Sequence, residues 1–278
     1  MRTILTEGFA ALGLPVSEAA LAGFETYYKL LDERGSVMNL TAIRGEEDVA
    51  RLHFLDCAAL LTLHDCKGKS VIDVGTGAGF PGLPMKLMEP AIALTLLDSL
   101  DKRVRFLQEV CDAVGLDDVE CLHARAEEQP ERRETYDLAV SRAVARLDVL
   151  CELCLPYVKV GGAFLAMKAR GAQEELEEAK RAIEVLGGGK AELLPYAIPG
   201  TDTEHCIIRI EKMKPTPAKY PRRRGRGKAA FSGLRGASDA ARLQKQVRHR
   251  RRHGRGLSGA ADEAHGARDR AHAAGQSG

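Results

Sequence analysis

The sequence predicts an α/β fold: a mostly parallel sheet of seven strands with helices on both faces, an N-terminal helical cap and a disordered basic tail. Three observations lead to this prediction. From Lys69 onward, short apolar runs alternate with amphipathic stretches, which is typical of strand–helix units in a doubly wound sheet. Residues 1–67 carry only the three- and four-residue apolar spacing of helices. Residues 221–278 have too few large apolar side chains to form a core.

The cap, residues 1–67, is expected to contain two main helices. Ser17 is a suitable N-cap for the first, because its hydroxyl can accept a hydrogen bond from a free N–H of the first turn, and Gly35 is expected to end this helix. Its apolar face comprises Leu21, Phe24, Tyr28 and Leu31. The second helix is predicted from about Glu46 to Leu63. Acidic residues lie in its first turn, where their negative charge interacts favourably with the helix dipole.

The sheet is assigned to a domain over residues 68–213. The predicted strands are Ser70–Val74, Ala93–Asp98, Val119–His123, Asp137–Ser141, Ala163–Lys168, Ala191–Ile198 and Cys206–Ile210. The predicted helices are Pro81–Met88, Lys102–Val114, Leu147–Tyr157 and Gln173–Leu186. The last two strands have no helix between them, so we expect the sheet to finish with an antiparallel pair.

The charge is unevenly distributed along the chain. Of the 41 Lys and Arg residues, 15 lie in residues 221–278 with only 4 of the 39 Asp and Glu, which gives this part a balance of +11 and residues 1–220 a balance of −9. The same part holds 10 of the 28 glycines. Low apolar content and high net charge predict disorder, and the basic tail is assigned to residues 214–278.

The cysteine count and the apolar runs indicate the cellular compartment. Seven irregularly spaced cysteines favour reduced thiols in the cytosol over a disulfide framework. No apolar run approaches the roughly 18 residues of a membrane span, and no secretory signal begins the chain. Cys151 and Cys154 form a C-x-x-C that is interpreted as two small apolar residues on a buried helix face, and no second Cys pair or His cluster has the spacing of zinc ligands. We therefore expect a cytoplasmic protein without metal, and a monomer, since no apolar stripe is left unpaired.

The most specific motif joins a buried strand to a helix. It is the run Val71-Ile-Asp73-Val-Gly75-Thr-Gly77-Ala-Gly79-Phe80-Pro-Gly82. Its alternate glycines allow a tight turn and let a ligand approach the backbone closely. Since ligands of doubly wound sheets bind outside the carboxyl ends of the strands, we expect a binding site here.

Two classes of ligand fit this loop. Gly77-Ala-Gly79-Phe-Pro-Gly82 satisfies the dinucleotide-binding pattern, and Asp98 follows at a suitable distance to bind a ribose. Asp73 and the three alternate glycines also resemble motif I of the class I S-adenosylmethionine-dependent methyltransferases. In that class the loop wraps the methionine end of the cofactor, and an acidic residue at the end of the second strand binds the ribose hydroxyls. The loop alone leaves both ligands open.

Further segments resemble one family within that class, the small-subunit (16S) ribosomal RNA 7-methylguanosine methyltransferases, or glucose-inhibited division protein B family. The matching segments are Asn39-Leu40-Thr41, His53-Phe-Leu-Asp56, Val71–Gly82, Leu97–Leu107, Ala124–Glu128, Tyr136-Asp137 and Ser141-Arg142-Ala143. They cover roughly residues 20–223 in the family's order and spacing. The resemblance implies a class I, Rossmann-like methyltransferase fold and S-adenosylmethionine as the cofactor. It also implies methyl transfer to N7 of a guanine in 16S ribosomal RNA.

The resemblance also implies roles for individual residues. Those implied to bind the cofactor are Asp73, Gly75, Gly77, Gly79, Phe80, Asp98, Ala126, Glu127 and Arg142. Of these, Arg142 is also expected to be catalytic, because its planar guanidinium can orient the target base or its phosphate. Guanine N7 has an in-plane lone pair and loses no proton when it attacks, so we expect catalysis by alignment, without a general base. The side chains expected to contact the RNA are Asn39, His53, Lys168, Arg222 and Arg223.

Other interpretations remain open from the sequence. The loop could serve a nicotinamide-dependent oxidoreductase, although no separate substrate domain with a catalytic pair is visible. The chain could also be a non-enzymatic RNA-binding module in which the tail binds RNA. Beyond Arg223 the chain departs from the family, and its Arg/Gly/Ala/His bias is typical either of a disordered RNA-binding tail or of a reading-frame artefact. Of the two we favour the artefact, and the function predicted above does not depend on this segment.

Overall fold

The computed structural model describes residues 1–38, 40–169 and 171–222. Seven strands form one sheet in the order β3-β2-β1-β4-β5-β7-β6. The strands are β1 Ser70–Val74, β2 Ala93–Asp98, β3 Val119–His123, β4 Tyr136–Arg142, β5 Val158–Lys168, β6 Gly188–Ala197 and β7 Glu204–Lys212. β1 to β5 run parallel, and β7 is antiparallel to both of its neighbours, β5 and β6. The antiparallel ending predicted from the sequence is therefore confirmed.

The helices cover both faces of the sheet. Those of the cap are α1 Arg2–Ala11, α2 Glu18–Met38, α3 Glu46–Val49, α4 Asp56–Ala58 and α5 Leu60–Leu63, with a π-helical segment, Ala50–Leu55, between α3 and α4. Those of the sheet domain are α6 Gly82–Met88, α7 Asp101–Val114, α8 Leu147–Cys154 and α9 Ala172–Val185. Successive residues of one strand face opposite sides, so Val71 belongs to the core under the cap while Ile72 belongs to the core under α8 and α9.

The predicted start of the first cap helix, α2, is confirmed, but its predicted end is corrected. Ser17 does cap α2, since its hydroxyl accepts a hydrogen bond from the Ala20 N–H at 3.1 Å, but Gly35 does not end this helix. Gly35 is buried within α2, and the Arg44 guanidinium donates to its carbonyl at 2.8 Å. A β-carbon at Gly35 would lie 2.6 Å from Arg44 Nη1, so the absence of a side chain at Gly35 lets the end of the Arg44 side chain approach closely.

The second predicted cap helix is not one regular helix. Residues 46–63 follow the predicted span, but the winding changes to π-helical at Ala50–Leu55 and is interrupted at Ala59. Insertions of π-helix within α-helices are rare and frequently occur at functional sites. This segment faces the carboxyl ends of the strands, where the glycine loop lies.

The folded body extends further than the predicted boundary at residue 213. The segment 213–222 packs against the amino ends of the strands. Arg133 donates to the Thr216 carbonyl at 2.8 Å, and Glu134 accepts from the Thr216 N–H at 2.7 Å. At least the first nine residues assigned to the tail therefore belong to the body. The disorder predicted for the rest lies on residues 223–278, outside the described residues.

The sheet has the topology implied by the resemblance. The strand order reverses at the adjacent strands β1 and β4, and a crevice is expected outside their carboxyl ends. The order, with its antiparallel seventh strand, is that of the class I methyltransferase fold. None of the helices in the described residues is both long and apolar enough to cross a membrane.

Candidate active site

The glycine loop follows β1 and is shaped by left-handed backbone conformations. Gly75, Gly77 and Gly79 have φ angles of 72°, 64° and 107°. The Gly75 N–H donates to the carbonyl of Leu97, in β2, at 2.8 Å, which ties the loop to the neighbouring strand. A β-carbon added at Gly77 would meet nothing within 4 Å. The loop therefore presents bare backbone to open space at this point, as a ligand-binding turn requires.

Asp73, near the end of β1, has one satisfied and one unsatisfied carboxylate oxygen. Oδ2 accepts hydrogen bonds from the Thr76 hydroxyl at 2.7 Å and from the Gly82 N–H at 2.9 Å, so this carboxylate closes the loop. Oδ1 is buried without a hydrogen-bond partner among the described residues. Burial raises the pKa of Asp73 to about 7, against the effect of these two hydrogen bonds.

Asp98 ends β2 and holds the other side of the loop. Its Oδ2 accepts from the Gly77 N–H at 3.0 Å and from Arg103 at 3.2 Å, and its Oδ1 accepts from the Leu100 N–H at 2.9 Å. The side chain is only 3% exposed. A carboxylate has about four acceptor positions, so one remains for a hydroxyl group.

The predicted adenine-binding pair lies after β3. Ala126 begins a 3₁₀ turn, Ala126–Glu128, and its carbonyl accepts from the Tyr157 hydroxyl at 2.6 Å. Glu127 is half-buried and is held by two hydrogen bonds from Arg125, at 2.5 and 3.1 Å. The structure thus brings the ends of β1, β2 and β3 to one edge, as the resemblance implied.

Arg142 is the last residue of β4 and lies across the crevice from the glycine loop. Its Nη1 donates to the Leu52 carbonyl at 3.1 Å and to Asp56 Oδ2 at 3.0 Å, and its Nη2 is 2.7 Å from His53 Nδ1. Its guanidinium carbon lies 4.8 Å from the centre of the Phe80 ring. Nε has no acceptor among the described residues. The guanidinium is therefore fixed on the cap side by three of its five N–H groups, while Nε–H and the second N–H of Nη2 are left for a ligand.

His53 connects Arg142 to the glycine loop and to the rest of the cap. Its ring stacks on Phe80 with 4.3 Å between the ring centres. Since Arg142 donates to Nδ1, the proton must be on Nε2, which lies 2.7 Å from the Thr41 hydroxyl. Burial and the Arg142 charge both lower the pKa of His53 well below its ordinary value. His53 is therefore a neutral imidazole with both nitrogens engaged.

Asp56 is the main site residue for which sequence reasoning assigned no role. Its carboxylate is 2% exposed and accepts from Arg142, from the Tyr196 hydroxyl at 2.7 Å and from His205 Nδ1 at 2.8 Å. Burial alone would raise the pKa of Asp56, but the hydrogen bond from His205 and the Arg142 charge lower it. The segment His53-Phe-Leu-Asp56 was among those that match the family, and its spacing of three residues allows both side chains to lie on one helix face. Tyr196 and His205 carried no motif, and only the pairing of β6 with β7 brings them together.

The residues after β4 form an arch over the glycine loop. Ala143 has a φ of 57°, a left-handed conformation that costs a non-glycine residue about 1–2 kcal/mol. The next residue, Val144, is exposed but approaches Gly75 so closely that a β-carbon there would lie 2.8 Å from Val144 Cγ2. A strained residue between Arg142 and this contact is consistent with a binding site.

The residues predicted to contact RNA are distributed differently from the cofactor residues. His53 lies in the site. Lys168 is close to it but donates to the Ala145 carbonyl at 2.9 Å and to Glu175 at 2.7 Å, so it supports the arch. Arg222 pairs with Glu152 near the end of α8, toward the opposite edge of the sheet. Asn39 and Arg223 lie outside the described residues. These RNA contacts stay predictions.

A surface groove of about 810 Å³ opens beside this cluster, between the β6–β7 hairpin and the start of α9. His205 forms part of its wall, and two acidic residues, Asp202 and Glu204, line it as well. Two carboxylates make the groove unsuitable for a phosphate group.

The described side chains fit S-adenosylmethionine better than they fit a metal. The unsatisfied Oδ1 of Asp73 could accept from an ammonium group, the bare Gly77 backbone leaves space for a chain, and Asp98 has acceptor capacity for one ribose hydroxyl. Within residues 1–38, 40–169 and 171–222, no group of three His, Cys, Asp or Glu side chains could hold a metal ion.

The chain is similar to proteins of one family. Residues 20–197 match the family described as rRNA small subunit methyltransferase G. A protein of Acetivibrio thermocellus with the name Ribosomal RNA small subunit methyltransferase G is 44% identical over 229 residues, which cover 81% of this chain and 94% of that protein. Its namesake in Lachnoclostridium phytofermentans is 47% identical over 224 residues, covering 79% and 93%.

Among solved structures the similarity is lower. A SAM-dependent methyltransferase from Aquifex aeolicus is 19% identical with a TM-score of 0.45, over 59% of this chain and 93% of that one. TrmN from Thermus thermophilus is 24% identical with a TM-score of 0.47, over 62% of this chain and 51% of that one.

Proposed function

This chain belongs to the rRNA small subunit methyltransferase G family, and from that premise we propose that it transfers a methyl group from S-adenosylmethionine to N7 of a guanine in 16S ribosomal RNA. The observation that carries the proposal is the placement of Arg142. Its guanidinium is fixed by the cap, lies against Phe80 of the glycine loop and keeps two N–H groups, one of them Nε–H, for a ligand. It thus stands between the expected cofactor site and the cap.

The cofactor would be held by groups of the loop and the first three strands. Asp73 is the expected acceptor for its ammonium group, Asp98 for one ribose hydroxyl, and Ala126 and Glu127 lie where the adenine is expected. Gly75, Gly77, Gly79 and Phe80 shape the surface between these positions. When bound, the sulfonium group of S-adenosylmethionine supplies a methyl that is already electrophilic.

The side chains of the site suit a reaction that needs no general base. Guanine N7 attacks through an in-plane lone pair and releases no proton. His53 is neutral, donates from Nε2 toward Thr41 and accepts from Arg142 at Nδ1, so neither nitrogen is free to take a proton. The chain's contribution would be alignment of the base with the methyl group, for which well-oriented neighbours lower the barrier by up to about 7–11 kcal/mol.

Arg142 would orient the target through atoms other than N7. Arginine often binds guanine through N7 and O6 together, but the N7 lone pair must stay free to attack the methyl group. The Nε–H of Arg142 is therefore assigned to O6 or to a phosphate of the target nucleotide.

RNA binding must come from local positive charges. Residues 1–220 have a balance of −9, so a general electrostatic attraction cannot provide the affinity. His53 is the predicted RNA contact nearest the site; Asn39, Lys168, Arg222 and Arg223 are retained as predicted contacts of secondary importance.

We further propose that the protein is a monomer that acts in the bacterial cytoplasm, on 16S ribosomal RNA or the small ribosomal subunit.

The test is transfer of labelled methyl from S-adenosylmethionine to small subunits, and to free 16S RNA, from a strain that lacks the enzyme. We expect incorporation of one methyl group, which nuclease digestion and mass spectrometry identify as 7-methylguanosine. The absence of transfer to either substrate would reject the proposal, and a methyl group at another atom would reject the N7 assignment. Calorimetry with NAD(P)H, which should not bind, tests the oxidoreductase alternative.

A further inference from the structure

The Asp56 carboxylate joins three distant parts of the chain. Oδ2 accepts from Arg142 at the end of β4, and Oδ1 accepts from Tyr196 on β6 and His205 on β7. These partners are 86, 140 and 149 residues away along the sequence. Because the carboxylate is almost completely buried, its charge is balanced by these donors and not by water.

All three acceptors of the Arg142 guanidinium come from one short stretch of the cap. They are the Leu52 carbonyl, His53 Nδ1 and Asp56 Oδ2. The π-helical winding of Ala50–Leu55 precedes Asp56 directly and places these groups on one side of the cap. Asp56 is the only one of the three that is charged, so it provides the strongest of these hydrogen bonds.

The C-terminal hairpin holds Asp56 in turn. Tyr196 and His205 are directly paired across the β6–β7 ladder, and both donate to the same oxygen. A second contact supports this arrangement, because Arg51 of the π-helical segment donates to the Pro199 carbonyl at 3.1 Å. The hairpin is thereby attached to the cap at two places, at the paired residues that flank the turn between β6 and β7 and at Pro199 within that turn.

We propose that Asp56 is a positioning residue for methyl transfer: it fixes the guanidinium of Arg142, and the hairpin residues Tyr196 and His205 fix Asp56. This inference rests on the proposed function for its catalytic consequence. Its structural part, the immobilisation of Arg142, can be measured without RNA. A displacement of about 1 Å in a positioning group can reduce a rate by about 100-fold.

The first experiment measures methyl transfer by Asp56→Asn, which keeps the shape of the side chain and removes its charge. We expect kcat to fall about 100-fold while the dissociation constant of S-adenosylmethionine changes less than about threefold. Asp137→Asn is the matched control, because Asp137 lies at the other end of β4 and holds Ser70 and Lys159. Similar losses of kcat in both variants would show that Asp56 has only a structural role, and would overturn the proposal.

A double-mutant cycle tests whether Asp56 acts through Arg142. In an Arg142→Ala background, Asp56→Asn should cause less than about a twofold further loss, because there is no guanidinium left to position. Independent, multiplicative losses would overturn the proposal. Tyr196→Phe and His205→Ala should each cost about threefold to tenfold in kcat, and His205→Gln, whose amide can donate to Asp56, should restore part of the loss.

The second experiment needs no RNA. In ¹⁵N-labelled protein, the Nη signals of Arg142, assigned by their loss in Arg142→Lys, should be resolved because rotation of the guanidinium is hindered. We expect them to broaden or collapse in Asp56→Asn and to persist in Asp137→Asn. Persistence in Asp56→Asn would overturn the proposal even if the enzyme is active. An inactive wild-type enzyme with the expected signals would reject the proposed function and leave the immobilisation of Arg142 supported.

Discussion

The sheet buries charged side chains both where its parallel strands begin, here called the amino edge, and where they end, the carboxyl edge. The two edges use these side chains differently. At the amino edge, Lys212 is fully buried and donates to the Leu155 carbonyl and to Thr216, with Glu134 3.6 Å away. At the carboxyl edge, Asp73 is equally buried and leaves one oxygen without a partner among the described residues. The Lys212 cluster at the amino edge completes its hydrogen bonds within the chain and so stabilises the fold. The carboxyl edge leaves capacity for a ligand.

The strongest test of this contrast removes Arg142 from the carboxyl edge. Arg142→Ala should reduce the rate of methyl transfer about 100- to 1000-fold, because a directed donor to the reacting nucleotide is lost. The affinity for S-adenosylmethionine, measured by calorimetry, should change much less. Equal losses in transfer and in cofactor affinity would mean that Arg142 serves only the cofactor site.

At the amino edge the largest expected effect is on stability. Lys212→Ala leaves the Leu155 carbonyl, Thr216 and Glu134 without their shared donor, and should lower the stability by about 3 kcal/mol, or Tm by roughly 5–10 °C. The rate of methyl transfer at 20 °C should stay within about twofold of the wild type, since the cluster is at the opposite edge. A large loss of activity in folded protein would contradict the proposed separation of the two edges.

Substitution of two comparable glycines distinguishes a loss of cofactor affinity from a loss of stability caused by backbone strain. Gly77 and Gly115 both have positive φ angles, of 64° and 72°, and a β-carbon at either position would meet no protein atom within 4 Å. Both Gly→Ala changes should therefore cost about 1 kcal/mol of stability. Only Gly77→Ala should also weaken S-adenosylmethionine binding, by about tenfold or more, since its methyl group enters the expected cofactor site. Equal affinities in the two variants would place the cofactor elsewhere.

The smallest expected effect is that of Asp73→Asn on how the stability of the protein depends on pH. Its pKa of about 7 in the fold is above the ordinary 3.8, so its stabilising contribution is complete below about pH 4 and is lost as the pH rises through 7. Asp73→Asn has no such loss. Without cofactor, the difference in Tm between the variant and the wild type should therefore shift in favour of the variant from pH 5 to pH 8. A constant difference across this range would show that Asp73 does not titrate there.

Sequence patterns predicted local features well and distant contacts poorly. The bounds of β1, β2 and β3 were predicted to the residue, because each is a short run between clear turn or helix residues. Gly35 was assigned wrongly to a helix end, because its actual role depends on the approach of Arg44. The chemistry of the glycine loop was predictable from spacing and resemblance.

The environment of Arg142 was not predictable in the same way. Its position after β4 followed from the resemblance, but its partner Asp56 is 86 residues away, and the hairpin residues that hold Asp56 are still further along the chain. No local pattern encodes a hydrogen bond between side chains on different elements. The close packing of residues 213–222 was missed for a similar reason, since their basic composition gave no indication of Arg133 and Glu134 as partners.

The span of the Asp56 contacts also determines when the site is completed during synthesis. A ribosome delivers the chain from its N-terminus at about 5–20 residues per second, so Asp56 is made well before Arg142, and His205 follows after a further interval of several seconds. Until the β6–β7 hairpin has emerged and paired, the cap contains a carboxylate without two of its three donors. The enzyme therefore acquires an oriented Arg142 only after residue 205 has been synthesised. A chain that stops before residue 205 would retain the glycine loop and Arg142 but lack the His205 donor to Asp56.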